Sequence, residues 1–370
     1  MKALFFDLKN DGHHFFYNHN VMKLQGVDTK YYVTSNSIEN EKEELLNNDG
    51  VTVVKIKALA SNNRIIRMFS ELLVLFKMRK MIHKLNIDVA ILLYLDHIII
   101  PLYMLQVFLP VKSKLIATLH WFPNRSSKLK LLKKLSDKGL RVIVHTEDVK
   151  KRLEAAGINN VELVYYPTLK TSSIDKLTAK NKLNLKLVKE YKTILYFGGT
   201  RFDKGVDILL DALEKVNSSA NIIIAGQEQT FKREFIEEKL SHLANKNVVL
   251  NLGYVKDEEV ELYFKSSDIV VLPYRKIFNG ESGILTEAIN NKNLVVVPNI
   301  IHFPSVVSKY SNGVIYEAEN IVDLGEKLQY TIKNIDVFQS GIDEAFEDYK
   351  EKHSIKNFIK NYEKIIIKGK

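Results

Sequence analysis

The chain has 370 residues, 46% of them hydrophobic and 26% charged, with no cysteine and a formal net charge of +10. The length accommodates two α/β domains with sizeable cores. The missing cysteines exclude a disulfide framework and any thiolate-held metal, and the charge density argues against a membrane-embedded chain. The positive excess points to an anionic partner (phosphorylated substrates, a membrane surface or nucleic acid) or else to a composition that is simply rich in lysine.

In chain order, the apolar run after Met1 is too short for the core of a secretory signal. Strands are predicted at Ala3–Phe6, Tyr31–Thr34, Val51–Ile56, Val89–Leu93, Leu115–Thr118, Val142–His145 and Val161–Val164, with helical patterns over Arg64–Lys84 and Lys128–Lys138. The longest apolar stretch, Asp88–Leu109, is broken by Asp96 and His97 and does not make a spanning helix. Thr171–Tyr191 is polar and reads as a connector. The alternation then restarts. Strands are expected at Thr193–Phe197, Asn221–Ala225, Val248–Leu252, Ile269–Leu272 and Leu294–Pro298, with helices at Val206–Lys215, Phe231–Leu243, Glu258–Lys265 and Leu285–Asn290. Strand–helix alternation favours parallel sheets covered on both faces. Apolar residues at Ile355, Phe358, Ile359, Tyr362, Ile365 and Ile366 predict a final helix. The expected domains are 1–185 and 186–352, followed by a C-terminal helix over 353–370.

Two stretches carry chemistry. In the first, a strand ending at Phe197 runs into Gly198 and Gly199, then Arg201 and Lys204, just before a helix. Glycines let a backbone approach a ligand, and two cations ahead of a helix N-terminus suit a diphosphate. The same residues also fit an ordinary strand-to-helix turn with solvated charges. The stretch is neither the GxGxxG fingerprint nor a P-loop. In the second, an irregular loop over Pro273–Glu281 leads to a helix that Ser282 can cap. The N–H groups around Ser282, Gly283, Ile284 and Leu285 offer a second face to a phosphate. Glu287, about one turn in, suits the two hydroxyls of a ribose or simply answers the helix dipole.

Together these stretches resemble the family-4 retaining GT-B glycosyltransferases (glycosyl transferases group 1), well over Thr193–Pro298 and more weakly across the N-terminal half. "FGGTRFDKGVDILLDAL" is similar to the family's phosphate-binding signature, "IAGQE" to its next glycine turn at Gly226, and the segment from Val248 to Tyr274 to the one that passes the nucleobase. The resemblance implies that Tyr254 and Val255 line the base site. "SGILTEAI" is similar to the second half of the paired-glutamate signature, with Glu287 on the ribose. The family's first glutamate falls by spacing on Asn279, while Glu281 is the nearest acid. Either that acidic role is absent or Glu281 takes it. In the N-terminal half, Gly12 stands where the family's first loop faces the donor, beside His13 and His14, and His120 ends a strand at the cleft.

The resemblance implies an α/β GT-B fold with two Rossmann-like domains facing across a cleft, the last helix crossing back to the first domain. It implies a hexosyltransferase-type enzyme that uses a UDP- or GDP-sugar and retains the anomeric configuration by front-face attack. The expected catalytic set is His120, Arg201, Lys204 and Glu281, with no cofactor and no metal, since no Asp-x-Asp occurs. The acceptor expected is a saccharide or lipid-linked saccharide in cell-surface polysaccharide or glycolipid assembly. Two basic, apolar-interleaved stretches, Arg64, Arg67, Lys77, Arg79, Lys80, Lys84 and Arg125, Lys128, Lys130, Lys133, Lys134, Lys138, suit an anionic membrane surface or a solvated helix face. The expected location is therefore cytoplasmic, with a peripheral position at the inner face of the membrane where those stretches bind lipid. Nucleic acid is not expected as a partner, because no RNP pattern or Cys/His finger is present. The rival readings are a nucleotide-sugar epimerase of the same shape and a non-catalytic sugar-nucleotide-binding protein.

Overall fold

The computed structural model describes residues 1–10, 13–57, 63–109, 111, 113–123, 125–168, 174–243, 245–280 and 282–367. The chain forms two compact units, Met1–Pro167 with Ile355–Lys370, and Thr168–Ser354.

The first unit contains strands β1 (Lys2–Phe6), β2 (Thr29–Ser35), β3 (Val51–Ile56), β4 (Val89–Leu92), β5 (Lys114–Thr118), β6 (Arg141–Val144) and β7 (Val161–Leu163). Helices α1 (His13–Met22), α2 (Asn40–Asn48), α3 (Arg64–Leu85), α4 (Ile99–Phe108), α5 (Ser126–Asp137) and α6 (Glu147–Ala155) connect them. The strands form one sheet in the order β3-β2-β1-β4-β5-β6-β7, paired in parallel. Side chains alternate between its faces, as a strand buried on both sides requires. Leu4 and Phe6 enter a core with Val74, Leu102, Leu132 and Leu153 from α3 to α6. Ala3 and Phe5 enter the opposite core with Tyr17 and Leu46 from α1 and α2.

The second unit contains α7 (Lys176–Lys182), β8 (Lys192–Phe197), α8 (Val206–Leu213), β9 (Ala220–Ala225), α9 (Arg233–Ser241), β10 (Lys246–Asn251), α10 (Asp257–Lys265) and β11 (Ile269–Val271). It continues with α11 (Gly283–Asn290), β12 (Leu294–Pro298), α12 (Phe303–Tyr310), β13 (Gly313–Tyr316), α13 (Ile321–Asn334) and α14 (Gln339–Lys352). Its parallel sheet has the order β10-β9-β8-β11-β12-β13. Ile222 and Ile224 face one core and Ile223 and Ala225 the other.

The division between units falls at residue 168, ahead of the expected boundary near 185, because the connector is built into the second unit. Asp175 caps α7 by accepting from Thr178 N at 2.8 Å. Lys176 Nζ pairs with Asp268 Oδ1 at 2.5 Å, and Asn221 Nδ2 donates to the Val188 carbonyl at 2.9 Å. The final helix, α15 (Ile355–Ile367), packs on the first unit and buries Phe358, Tyr362, Ile365 and Ile366 in the core that holds Tyr17. Thr118 Oγ1 and the Tyr362 hydroxyl are 2.7 Å apart, and Arg141 Nη1 donates to the Ile365 carbonyl at 2.7 Å, answering the C-terminal end of the helix.

Candidate functional site

In the second sheet the strand order reverses between β8 and β11, the switch point where open α/β sheets bind ligands outside their strand C-termini. Both motif loops lie there, one after β8 and one after β11. Gly226, at φ +138°, presses against the first loop: a Cβ there would fall 2.2 Å from the Gly198 carbonyl oxygen. Its role is thus backbone packing under Gly198, whose own missing Cβ faces open space. Gly199 lies against Gln229, whose Nε2 would be 2.9 Å from an added Cβ. Gly205, at φ +64°, ties the two loops together, since a Cβ would meet the Pro273 carbonyl oxygen at 2.0 Å.

Arg201 and Lys204 are both at this edge, held by partners that sequence spacing did not single out. Arg201 Nε donates to Asp203 Oδ1 at 2.8 Å and Nη2 donates to Oδ2 of the same carboxylate, leaving the Nη1 edge outside that pair. Lys204 Nζ lies 3.8 Å from the Tyr274 ring centroid and 4.5 Å from that of Phe278. Lys204 is half-buried as a residue, with its ammonium against the two rings. Burial, and then the Arg201 charge, lower its pKa to about 7 against the opposing pull of Asp203. Arg275 braces the intervening turn: its guanidinium stacks 3.9 Å from the Phe202 ring centroid and pairs with Asp207 at 3.1 Å.

Tyr274 also reaches the second motif, its hydroxyl 3.2 Å from Ser282 Oγ. Ser282 caps α11, accepting from Leu285 N at 3.4 Å. Leu285 is therefore a core side chain with its N–H engaged in the cap, whereas Gly283 is exposed and an added Cβ there would meet open space. Ile284 leans on the same core as Leu285. Asn279 and Glu287 are half-buried on either side of the cap. Tyr254, 68% exposed, and Val255, buried, sit in the loop after β10, two strands from β8 along the same edge. Gly12 and Glu281 lie outside the described residues, as does the side chain of His13.

In the first unit the sheet order reverses between β1 and β4, and a stack of three rings sits at the strand C-termini beside that point. His120, after β5, lies 3.7 Å from Tyr94, which lies 3.8 Å from His14 on α1. His14 Nδ1 contacts Asp7 Oδ2 at 2.8 Å. His120 Nε2 lies 3.0 Å from the Leu93 carbonyl, which can only accept, so the proton is on Nε2 and the lone pair on Nδ1. Burial first, then His145, hold the imidazole neutral, well below its usual pKa. His120 is thus an oriented neutral ring that accepts at Nδ1. Asp96 anchors it, accepting from His120 N at 3.1 Å and Trp121 N at 2.7 Å, while burial raises the Asp96 carboxyl to about 6. Asp7, Tyr94 and Asp96 were absent from the sequence-based site; only their positions just after predicted strands could have marked them. Among the described residues, no group of three or more His, Asp or Glu is placed to hold a metal ion.

Two Rossmann-like parallel-sheet units, each with candidate site residues at its switch point, define a two-domain α/β protein of the GT-B class. Residues 178–361 match the family profile described as glycosyl transferases group 1, and the chain belongs to that family. An uncharacterized glycosyltransferase of Methanocaldococcus jannaschii is 23% identical over 220 residues, 59% of this chain and 54% of that protein, so the match spans about half the relative's length. Over the whole fold, a Rickettsia africae glycosyltransferase superposes with a TM-score of 0.74 at 16% identity, covering 100% of this chain and 98% of its own. Anabaena HepE in complex with UDP gives 0.77 at 14% identity, covering 99% of each chain. At these identities the likeness shows the fold alone. No helix among the described residues is long and apolar enough to cross a membrane.

Proposed function

We propose that this protein is a hexosyltransferase-type enzyme that moves a sugar from a UDP- or GDP-sugar to an acceptor hydroxyl with retention of configuration, in cell-surface polysaccharide or glycolipid assembly. The observation that carries the reading is the convergence of Arg201, Lys204 and the Ser282-capped end of α11 at one switch point. In the transfer, the bond between the anomeric carbon and the β-phosphate oxygen breaks and the acceptor oxygen bonds to that carbon. The acceptor's proton leaves with the diphosphate. The charge that develops on the departing diphosphate is met by the Nη1 edge of Arg201, the protonated Lys204 and the first N–H groups of α11. Glu287 accepts from the ribose hydroxyls, and Tyr254 and Val255 border the base. In the first unit, neutral His120 offers Nδ1 as an acceptor to a substrate hydroxyl. HepE, which shares the fold, has been solved with UDP-glucose, and this supports a nucleoside-diphosphate donor.

The test is a transfer assay with UDP-, GDP- and ADP-sugars against hydroxyl acceptors, with and without EDTA. Transfer of an anomerically retained sugar that survives chelation is expected. Interconversion of the donor without any acceptor would replace the reading with an epimerase.

A further inference from the structure

The chain's positive excess is concentrated in neighbouring helices of the first unit. Helices α3, α4 and α5 carry ten Lys and Arg against two acids, Glu71 and Asp137, an excess of eight where the whole chain has +10. A lysine-rich composition spread at random would not gather it there. The three helices form one layer, with α4 packed between α3 and α5, all over the core that holds Leu4 and Phe6.

The outward stripe of α3 is not a solvated polar face. Asn63 caps the helix, accepting from Ile65 N at 2.9 Å, and the next two turns expose Ile65 at 63%, Ile66 at 47%, Phe69 at 58% and Leu73 at 60%. These positions recur every three or four residues and so share one line along the helix. The same line continues through Lys77, Lys80 and Lys84, all exposed. Beside it, α4 ends in exposed Phe108, and α5 exposes Lys130, Lys133 and Lys134. A contiguous apolar stripe flanked by cations suits a surface that is apolar inside and anionic outside. Nucleic acid would be met by cations and stacking rings and gives no use to exposed Ile65, Ile66 and Leu73.

We propose that the α3–α5 layer docks on an anionic lipid bilayer, with Ile65, Ile66, Phe69 and Leu73 entering the headgroup boundary and the lysines of α3 and α5 lying over the phosphates. The N-terminal end of α3 is at the strand C-terminal edge of the first sheet, the edge that carries His120, so docking brings that edge to the lipid surface. The surface stands whether or not the chain transfers sugar.

The experiment is vesicle flotation of the full chain, using pure phosphatidylcholine vesicles and vesicles of equal parts phosphatidylcholine and phosphatidylglycerol. Binding is expected to the anionic vesicles, weakening with salt, and not to the neutral ones. Lys77→Gln with Lys80→Gln should lower partitioning roughly 30-fold, about fivefold for each charge. Phe69→Ser with Leu73→Ser should lower it roughly tenfold or more. Both pairs are exposed, so unchanged melting curves will show that the fold is intact. Lys186→Gln with Lys189→Gln, exposed on the second unit, should change nothing. The proposal is overturned by equal binding to both vesicles, or by no binding. It is likewise overturned if the Phe69 and Leu73 variant keeps full binding while a DNA duplex competes, which marks a general polyanion surface. Concentration-dependent self-association abolished by that variant, without vesicle binding, would assign the stripe to a second copy of the chain.

Discussion

The ammonium of Lys204 sits 3.8 Å from the ring centroid of Tyr274, and the hydroxyl of that ring lies 3.2 Å from Ser282 Oγ. One aromatic side chain thus links the cation of the first loop to the helix cap of the second. Lys204→Ala should cut transfer by roughly 30- to 1000-fold, the cost of about 2–4 kcal/mol for losing a charge aimed at a developing anion. Tyr274→Phe keeps the ring and removes only the link to Ser282, so its loss should be much smaller. Steady-state kinetics on both variants check this, and equal losses would mean that the ring is not what positions the ammonium.

Donor affinity should depend on pH through Lys204. Its pKa is lowered to about 7, so the ligand-free protein loses this proton above neutrality, while a bound diphosphate needs the charged form. Affinity for UDP should therefore be level up to about pH 7 and then fall by up to tenfold per pH unit, with proton uptake on binding. Stability runs the other way. Between about 7 and the ordinary lysine value the unfolded chain holds a proton that the native chain lacks, so the ligand-free protein gains stability from this group as pH rises. Asp203→Asn should move the break in affinity to lower pH, because Asp203 raises the Lys204 pKa, and Arg201→Gln should move it upward. Titration calorimetry across pH in two buffers of different ionisation enthalpy reads the affinity break, the proton uptake and the shift in each variant, and urea midpoints of the ligand-free protein read the stability.

Acid should weaken the first unit. His145 is buried, donates from Nδ1 to the Val164 carbonyl at 2.7 Å and is pushed down to about 4 by burial. His120 is likewise held well below the ordinary histidine value, by burial and then by His145. As pH falls from the ordinary histidine value toward 4, the unfolded chain takes up protons that the native chain refuses, so stability falls over that window. His145 contributes on the order of 3 kcal/mol to that fall. Urea midpoints measured across the window check it, and His145→Phe should flatten the slope.

Phe358 anchors α15 with no exposed surface. Phe358→Ala should cost about 3–5 kcal/mol, the range for emptying a buried aromatic site. A urea midpoint shift of that size with an unchanged slope confirms that α15 is part of the cooperative core. A shift under about 1 kcal/mol would make the helix a peripheral attachment.

Much of this arrangement was legible in the sequence because it is local. Gly198, Gly199, Arg201 and Lys204 fall within seven residues, and Ser282 stands directly before the helix it caps. Apolar runs such as Ala3–Phe6 and Leu294–Pro298 mark buried parallel strands on their own. What escaped depends on distance along the chain or on short length. Tyr274 and Phe278 are about 70 residues beyond Lys204, and nothing in either stretch announces that they enclose it. Asp203, which pairs with Arg201, carries no motif signal of its own. The β13 stretch GVIY gives only a short apolar signal, two aliphatic residues after a glycine, and its pairing with β12 is what makes it a strand. The helix α7 was hidden in a polar, lysine-rich stretch whose order comes from Asp268 and Asn221, far along the chain.

The most direct test of the central claim, that the β8–β11 switch point holds the donor's diphosphate, is titration calorimetry of a nucleoside against its diphosphate. Uridine with UDP, and guanosine with GDP, would be measured on wild type, Lys204→Met and Arg201→Met. The diphosphate should bind wild type at least a hundredfold more tightly than its nucleoside, and each variant should remove most of that advantage while leaving nucleoside affinity unchanged. If the variants bind diphosphate as tightly as wild type, the phosphates are held elsewhere and the assignment of this site is wrong.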